Sequence, residues 1–425
     1  MKRLFTLALL FVSLFAGAQQ YNVLDQVKAD PRKAAGMEGP HRFDGIGPLT
    51  PAPRGYKPFY ISHYGRHGSR YAWNAKTYTY FAEVLEKAHE DEALTPLGEE
   101  FYGNYMDFYR LPLINAGDLV PLGYEQHLKI GAWTYDAFPA VFKKGKRVDA
   151  VVSTASRSIV SMGAFCVALA KKNPKLDIYM SSTHAGMTVA APASAPKELL
   201  RKFQGDDLSA VESIAHFNDR FIDYDGILGR IFKDPAYPSR FSGGRSKFVN
   251  ELYSLLGGYH NYEERPLFDN LITADQYANL WEASNYASYF TDLSARYDNI
   301  PLLEDVIAKA EAAFQDPAKA ADLRFGHDYV LEAFLCLINA NGCGTRQEKA
   351  SDVKYWFQSY NIPKAATAQF VFYRGRHGDI LFKLIWNEQE ATLPQLTPIS
   401  GPYYRWTDFT TWAREMMAKH PEIKE

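Results

Sequence analysis

In Phe59-Tyr-Ile-Ser-His-Tyr-Gly-Arg-His-Gly-Ser-Arg70, three β-favouring residues (Phe59, Tyr60, Ile61) run into a predicted turn. That turn holds Arg66, His67, Gly68 and Arg70, and Pro53 and Gly55 punctuate the approach. The pattern predicts a buried strand whose carboxyl end delivers one imidazole between two guanidinium groups. In open α/β sheets ligands bind in the crevice beyond the carboxyl ends of the strands. Arginine suits planar, bidentate recognition of phosphate. A histidine among such groups can bind a phosphoryl group or accept one. Gly68 is expected to let the backbone approach the ligand without a Cβ in the way. His67 is therefore the candidate nucleophile toward phosphate monoesters.

Arg-His-Gly recurs at Arg376-His377-Gly378, and there its surroundings differ. That copy lies between Phe370-Val-Phe-Tyr373 and Ile380-Leu-Phe-Lys-Leu-Ile-Trp386. Two apolar runs around a glycine-containing polar stretch predict a hairpin with a solvated turn. Chemistry is assigned to the first copy only.

The 425 residues are enough for two or three domain-sized units, and a hydrophobic fraction of 47% permits a sizeable core. A net charge of −2 exerts no global pull on nucleic acid or an anionic membrane. The partner expected is a small phosphate monoester, attracted locally. The 28 Tyr and 27 Phe read as packing rather than as a platform for bases. Residues Met1–Ala18 carry two leading cations, an apolar centre and Ala16-Gly-Ala18. They predict a secretory signal cut before Gln19, too short to span comfortably, and a periplasmic or secreted mature chain. Of the three cysteines, Cys166 reads as a small buried hydrophobe, and Cys336 and Cys343 are close enough in sequence for one disulfide. No metal or other cofactor is expected. His63 and His67 stand four apart, but Gly65 and the strand setting argue against a helical metal face.

Taken in order, the chain predicts a strand at about 57–62 and a helix from Thr77 to about Phe108. A second helix runs from Pro121 to about Phe142. A strand follows at 148–153, then a helix through Ile159 and Leu169 and a strand at 176–180. Strand, helix and strand in close succession imply parallel strands with crossover helices. Residues 195–315 read as mostly helical and inserted, a cap on the substrate side of an α/β core formed by 19–194 and 316–425. The core resumes at Leu323-Arg-Phe-Gly-His-Asp328, with a helix over 329–340 and a last helix near 406–417. The fold class is α/β, with a mainly parallel sheet flanked by helices.

Two further groups belong with His67. Arg157 lies beyond the second strand at a helix start, where backbone N–H groups favour an anion. His327 ends an apolar approach and Asp328 begins a helix, a position that suits an N-cap. Cleavage of a phosphate ester requires an acid to protonate the leaving alcohol, and Asp328 can serve.

Together these residues resemble the histidine acid phosphatases, the larger branch of the histidine phosphatase superfamily. The family's Arg-His-Gly-x-Arg matches Arg66, His67, Gly68 and Arg70; its Ser-Thr-x-x-Arg matches Ser153-Thr154-Ala-Ser-Arg157; its His-Asp matches His327-Asp328. Pro121-Leu-Gly-Tyr-Glu-Gln126 resembles the family's leucine-glycine-glutamine helix start. The resemblance implies an α/β sandwich with a helical insert, a covalent phosphohistidine at His67 and Asp328 as proton donor. It also implies phosphate contacts from Arg66, Arg70, Arg157 and His327, and no metal. Ala72 stands where the family usually has Pro. The wording around His67 is most similar to bacterial multiple inositol polyphosphate phosphatases, which carry His-Ala-Glu where this chain has His327-Asp-Tyr329. Inositol hexakisphosphate is the expected substrate, with Arg220, Arg230, Lys233, Arg240, Arg245 and Lys247 available to line a polyanion cleft. The rivals are a broad-specificity or sugar-phosphate phosphatase, a mutase, and a binding protein without turnover.

Overall fold

The computed structural model describes residues 23–192, 222–345, 353 and 361–420. The leader Met1–Ala18 and Arg220 lie outside them.

Lys57–Arg66 forms β1, which continues through the segment expected to turn. Its polar end stays extended because both neighbours pair with it. Ser62 to Arg66 run parallel to Asp322–Gly326, and Tyr60 to Gly65 run antiparallel to Thr367–Phe372. The buried polar side chains find partners: Ser62 Oγ accepts from Arg324 at 2.9 Å, and His63 Nδ1 meets Gln369 Nε2 at 3.2 Å. His63 also packs on Phe165 and Phe325, so it is a core histidine.

The other strands are β2 (Arg147–Val152), β3 (Asp177–Ser181), β4 (Lys319–Gly326), β5 (Thr367–Arg374), β6 (Ile380–Trp386), β7 (Gln389–Ala391) and β8 (Tyr404–Arg405). Their order is β3-β2-β4-β1-β5-β6-β7, with β8 on β6. The half β3-β2-β4-β1 is parallel, and the strands beyond β1 are antiparallel. This is the expected α/β class. β4 was legible only as a short approach to His327, yet it sits between β1 and β2 with every residue buried. Its charges hid it from a hydrophobic pattern, and each is paired: Lys319 with Asp322 at 2.8 Å, Arg324 with Asp305 at 2.5 Å.

Side chains alternate between the two sheet faces, as the strand period of two requires. Tyr60, Phe370 and Phe372 face the helices Ile300–Gln315, Asp328–Leu337 and Trp406–Ala418. Ile61, Val371 and Tyr373 face Pro121–Ala137 and Ser156–Lys172. A separate cluster joins residues of 78–108 to residues of 222–283. The helical layer thus recruits chain from before β2, while Ile300–Gln315, counted with the insert from sequence, packs on the sheet.

The single helix expected from Thr77 to Phe108 is two, Ala75–Glu90 and Pro96–Phe108. Thr95 Oγ1 caps the second by accepting the Gly98 N–H at 3.0 Å, and Pro96 follows in its first turn. The hairpin forms as expected: β5 and β6 pair across a turn with Arg376, His377 and Gly378 exposed. Among the described residues no disulfide forms, and Cys166 is buried in the core.

Candidate active site

β1, β4 and the loop after β2 end side by side, and the main chain fixes the loop that carries His67. The His67 N–H donates to Gly326 O at 3.0 Å, the Arg66 N–H to Ala366 O at 2.8 Å, and His67 O accepts from Ala365 at 2.8 Å. The helix start Pro121–Gln126 locks the next turn. A Cβ on Gly68 would lie 2.3 Å from Gly123 O, and one on Gly123 would lie 2.2 Å from Ser69 O. Gly68 is therefore required by a crossing of two backbones. Gln126 Oε1 accepts the Ser69 N–H at 2.9 Å. Ser161 Oγ accepts the Gly68 N–H at 3.0 Å and donates to Arg157 O at 2.7 Å. That hydroxyl ties the His67 loop to the helix bearing Arg157.

His67 Nδ1 lies 2.9 Å from Gly68 O. A carbonyl oxygen only accepts, so the proton resides on Nδ1 and the Nε2 lone pair is left for chemistry. Burial, then Arg66, Arg70 and Lys364, lower the His67 pKa well below the usual imidazole range. That direction keeps the ring neutral at neutral pH. His327 packs edge-on against it at 5.8 Å between centroids, and Tyr329 stacks on His327 at 5.6 Å. Burial and then Arg157 bring His327 down to about 4.

Arg66 is fully buried, its Nη1 donating to Met37 O at 2.7 Å and Ile362 O at 2.6 Å. Its Nη2 donates to Asp328 Oδ2 at 2.5 Å. Asp328 is the first residue of its helix and His327 holds the N-cap position, one residue earlier than expected; Asp328 Oδ1 accepts the Tyr329 N–H at 3.0 Å. Burial works against the Asp328 charge, but Arg66, Lys364 and Arg70 outweigh it and hold the carboxyl well below its usual range. The Nε groups of Arg66, Arg70 and Arg157 are each buried with no hydrogen-bond partner. Arg157 feels Arg70, Asp328 and Arg66 most strongly among the charged groups, which brings it into the same cluster. The other five residues singled out from the sequence thus gather about the His67 imidazole, at the ends of β1 and β4 and at two helix starts. Unsatisfied donors at such a place call for an anion.

Three residues were not foreseen. Lys364 is fully buried and pairs with Glu38 at 2.7 Å. Asn261 accepts from Ser69 Oγ at 2.7 Å and donates to Glu38 O at 2.8 Å, joining the helical layer to the loop. None belongs to a sequence pattern. Five of the basic residues named for a polyanion cleft have partners within the helical layer. Arg230 donates to Asn270 and Leu271 carbonyls, Lys233 to Glu92 O, Arg240 pairs with Asp91, Arg245 with Asp225, and Lys247 lies over the Tyr80 ring.

No family model and no curated protein matches this chain. Solved structures do match, and they define the fold as that of the histidine acid phosphatases. The Bifidobacterium longum multiple inositol polyphosphate phosphatase in complex with inositol hexasulfate is 16% identical, with a TM-score of 0.72 over 90% of this chain and 97% of that one. The phytase from D. castellii is 15% identical, with a TM-score of 0.63 over 94% and 86%. The Hafnia alvei phytase is 12% identical, with a TM-score of 0.57 over 86% and 98%.

Proposed function

We propose that this chain is a phosphomonoesterase that works through a covalent phosphohistidine on His67, with inositol polyphosphates of the phytate type as substrates. The observation that carries the reading is the free Nε2 of a neutral His67 beside the partnerless Nε donors of Arg66, Arg70 and Arg157. The phosphatases and phytases that share the fold support it. The guanidinium groups hold the non-bridging oxygens while Nε2 attacks phosphorus in line. The monoanionic ester passes its proton to Asp328 on binding, the P–O bond to the alcohol breaks, and Asp328 supplies that proton to the leaving oxygen. Water then attacks the phosphohistidine, Asp328 takes its proton, and phosphate leaves with the Nε2 lone pair restored. His327 adds a contact to the phosphate, and the helical layer of 75–114 and 222–283 caps the substrate side. The leader Met1–Ala18 supports export.

A second reading, a broad-specificity or sugar-phosphate phosphatase, is favoured by one observation: Arg230, Arg240 and Arg245 are engaged in the helical layer. A phosphate-release panel of inositol hexakisphosphate, glucose 1-phosphate and an aryl phosphate separates the two. The mechanism predicts an acid-labile phosphoryl group on quenched protein, absent in His67→Ala. Full turnover by His67→Ala would rule it out.

A further inference from the structure

Residues 37–41 and 362–366, which no motif marked, are laced together behind the nucleophile loop. The Lys364 N–H donates to Gly39 O at 2.8 Å, and Lys364 O accepts the His41 N–H at 3.0 Å. Both segments reach Arg66, through the carbonyls of Met37 and Ile362. Ala365, held in the left-handed region at φ 65°, donates its N–H to the His67 carbonyl. A non-glycine residue keeps such a conformation only where the surroundings enforce it, and such positions gather at functional sites. Inside this brace Lys364 is fully buried, its Nζ 2.7 Å from a Glu38 carboxylate whose side chain remains 37% exposed. A buried lysine is costly even when paired, and an apolar side chain would fill the place at less cost. Its charge therefore has a use beyond packing.

Resting on the phosphoryl-transfer reading above, we propose that Glu38 and Lys364 are a positioning pair. Glu38, 2.7 Å from its Nζ, holds Lys364 as a cation behind the nucleophile, where it acts on His67 and Arg66 without entering the phosphate cradle. Burial, then Arg66 and Arg70 from β1 and its loop, push the Lys364 pKa well below the usual lysine range, and Glu38 from the segment 31–38 and Asp328 from its helix start work against them. The charges facing His67 are Arg66, Arg70, Lys364 and Asp328. Lys364 is thus one of three cations that disfavour imidazolium. Without it His67 takes up a proton at higher pH, and the nucleophile is lost sooner on acidification. The Glu38 carboxylate, left alone near Arg66 and Arg70, then competes with phosphate.

The test uses the full chain, an aryl phosphate for kcat and KM against pH, and calorimetric binding of inorganic phosphate. Lys364→Met is expected to move the acid limb of kcat/KM upward by about half a pH unit or more and to weaken phosphate binding roughly tenfold. Lys364→Arg restores the limb. The double variant Glu38→Gln/Lys364→Met, which buries no unpaired charge, recovers phosphate binding but keeps the shifted limb. If Lys364→Met does not fold, the double variant alone decides. A wild-type acid limb and phosphate affinity in either folded variant overturn the positioning pair. Absence of turnover and of phosphohistidine in the wild type instead overturns the phosphatase reading itself.

Discussion

Arg66 Nη2 lies 2.5 Å from Asp328 Oδ2, so the group assigned to protonate the leaving alcohol is ionised before substrate arrives. The proton must come with the substrate. A phosphate ester keeps one proton below its second ionisation, near pH ~6, and can pass it to Asp328 once its own oxygens are held by arginine. The alkaline limb of kcat/KM should therefore follow the second ionisation of the substrate. Asp328→Asn keeps an acceptor for Arg66 but has no acidic proton to transfer. It should lower kcat on an alkyl phosphate by ~10²-fold or more, and far less on an aryl phosphate whose leaving group needs no acid. Equal losses on the two esters would remove Asp328 from that role.

The second prediction concerns acid stability. His127 is fully buried, its Nε2 2.9 Å from Arg66 O, and burial above all lowers it to about 3. Between the ordinary value of about 6.5 and that value the unfolded chain binds a proton there that the native chain does not. Unfolding therefore becomes easier as pH falls, by about 1.4 kcal/mol per pH unit for this group. His63 and His67, lowered mainly by burial, act in the same direction. His127→Gln can still donate to Arg66 O and cannot titrate. Urea unfolding at pH 6 and pH 4 should show a shallower loss for the variant, and an unchanged slope would exclude the mechanism.

What the sequence made legible followed from strand ends. Arg66, His67, Arg157, His327 and Asp328 could be placed because each stands at the end of an apolar run, where an α/β sheet puts its ligands. β4 and the tail of β1 were harder, because their interior Ser62, His63, Asp322 and Arg324 break the apolar pattern and are tolerated only through partners elsewhere in the chain. Glu38, Asn261 and Lys364 were invisible for a related reason. Each is one polar residue in an unpatterned stretch, and only the folded chain brings them together. The helix split at Thr95-Pro96 did carry a local signal, since a threonine followed by proline is a helix start.

The two Arg-His-Gly copies make a clean comparison. Arg376 and His377 sit on the exposed turn between β5 and β6, away from the residues around His67. Arg376→Ala/His377→Ala should leave kcat/KM on an aryl phosphate within about twofold of wild type, as surface substitutions do. Arg66→Ala, which strips Asp328 of its partner, should cost ~10²-fold or more through lost transition-state charge stabilisation. A large loss in the hairpin variant would mean that the second copy takes part.

The last prediction rests on the crossing of Gly68 and Gly123. A Cβ at Gly123 would fall 2.2 Å from Ser69 O and 2.7 Å from Ser69 N. Both are main-chain atoms of the turn that carries His67 and Arg70, so neither can swing away as a side chain would. Gly123→Ala should therefore push the turn off its helix, costing about 1–3 kcal/mol of stability as overpacking does. A displacement approaching 1 Å at His67 would cost ~10²-fold in rate if it is the attacking group. Gly163 provides the control, since it is helical and a Cβ there meets nothing within 4 Å. Gly163→Ala should be neutral or stabilise by about 0.4–1 kcal/mol, with activity unchanged. Thermal unfolding and kcat measured on the pair separate the crossing from a general intolerance of alanine. If Gly123→Ala kept wild-type kcat and melting temperature, the helix start at Pro121 would have no hand in aligning His67.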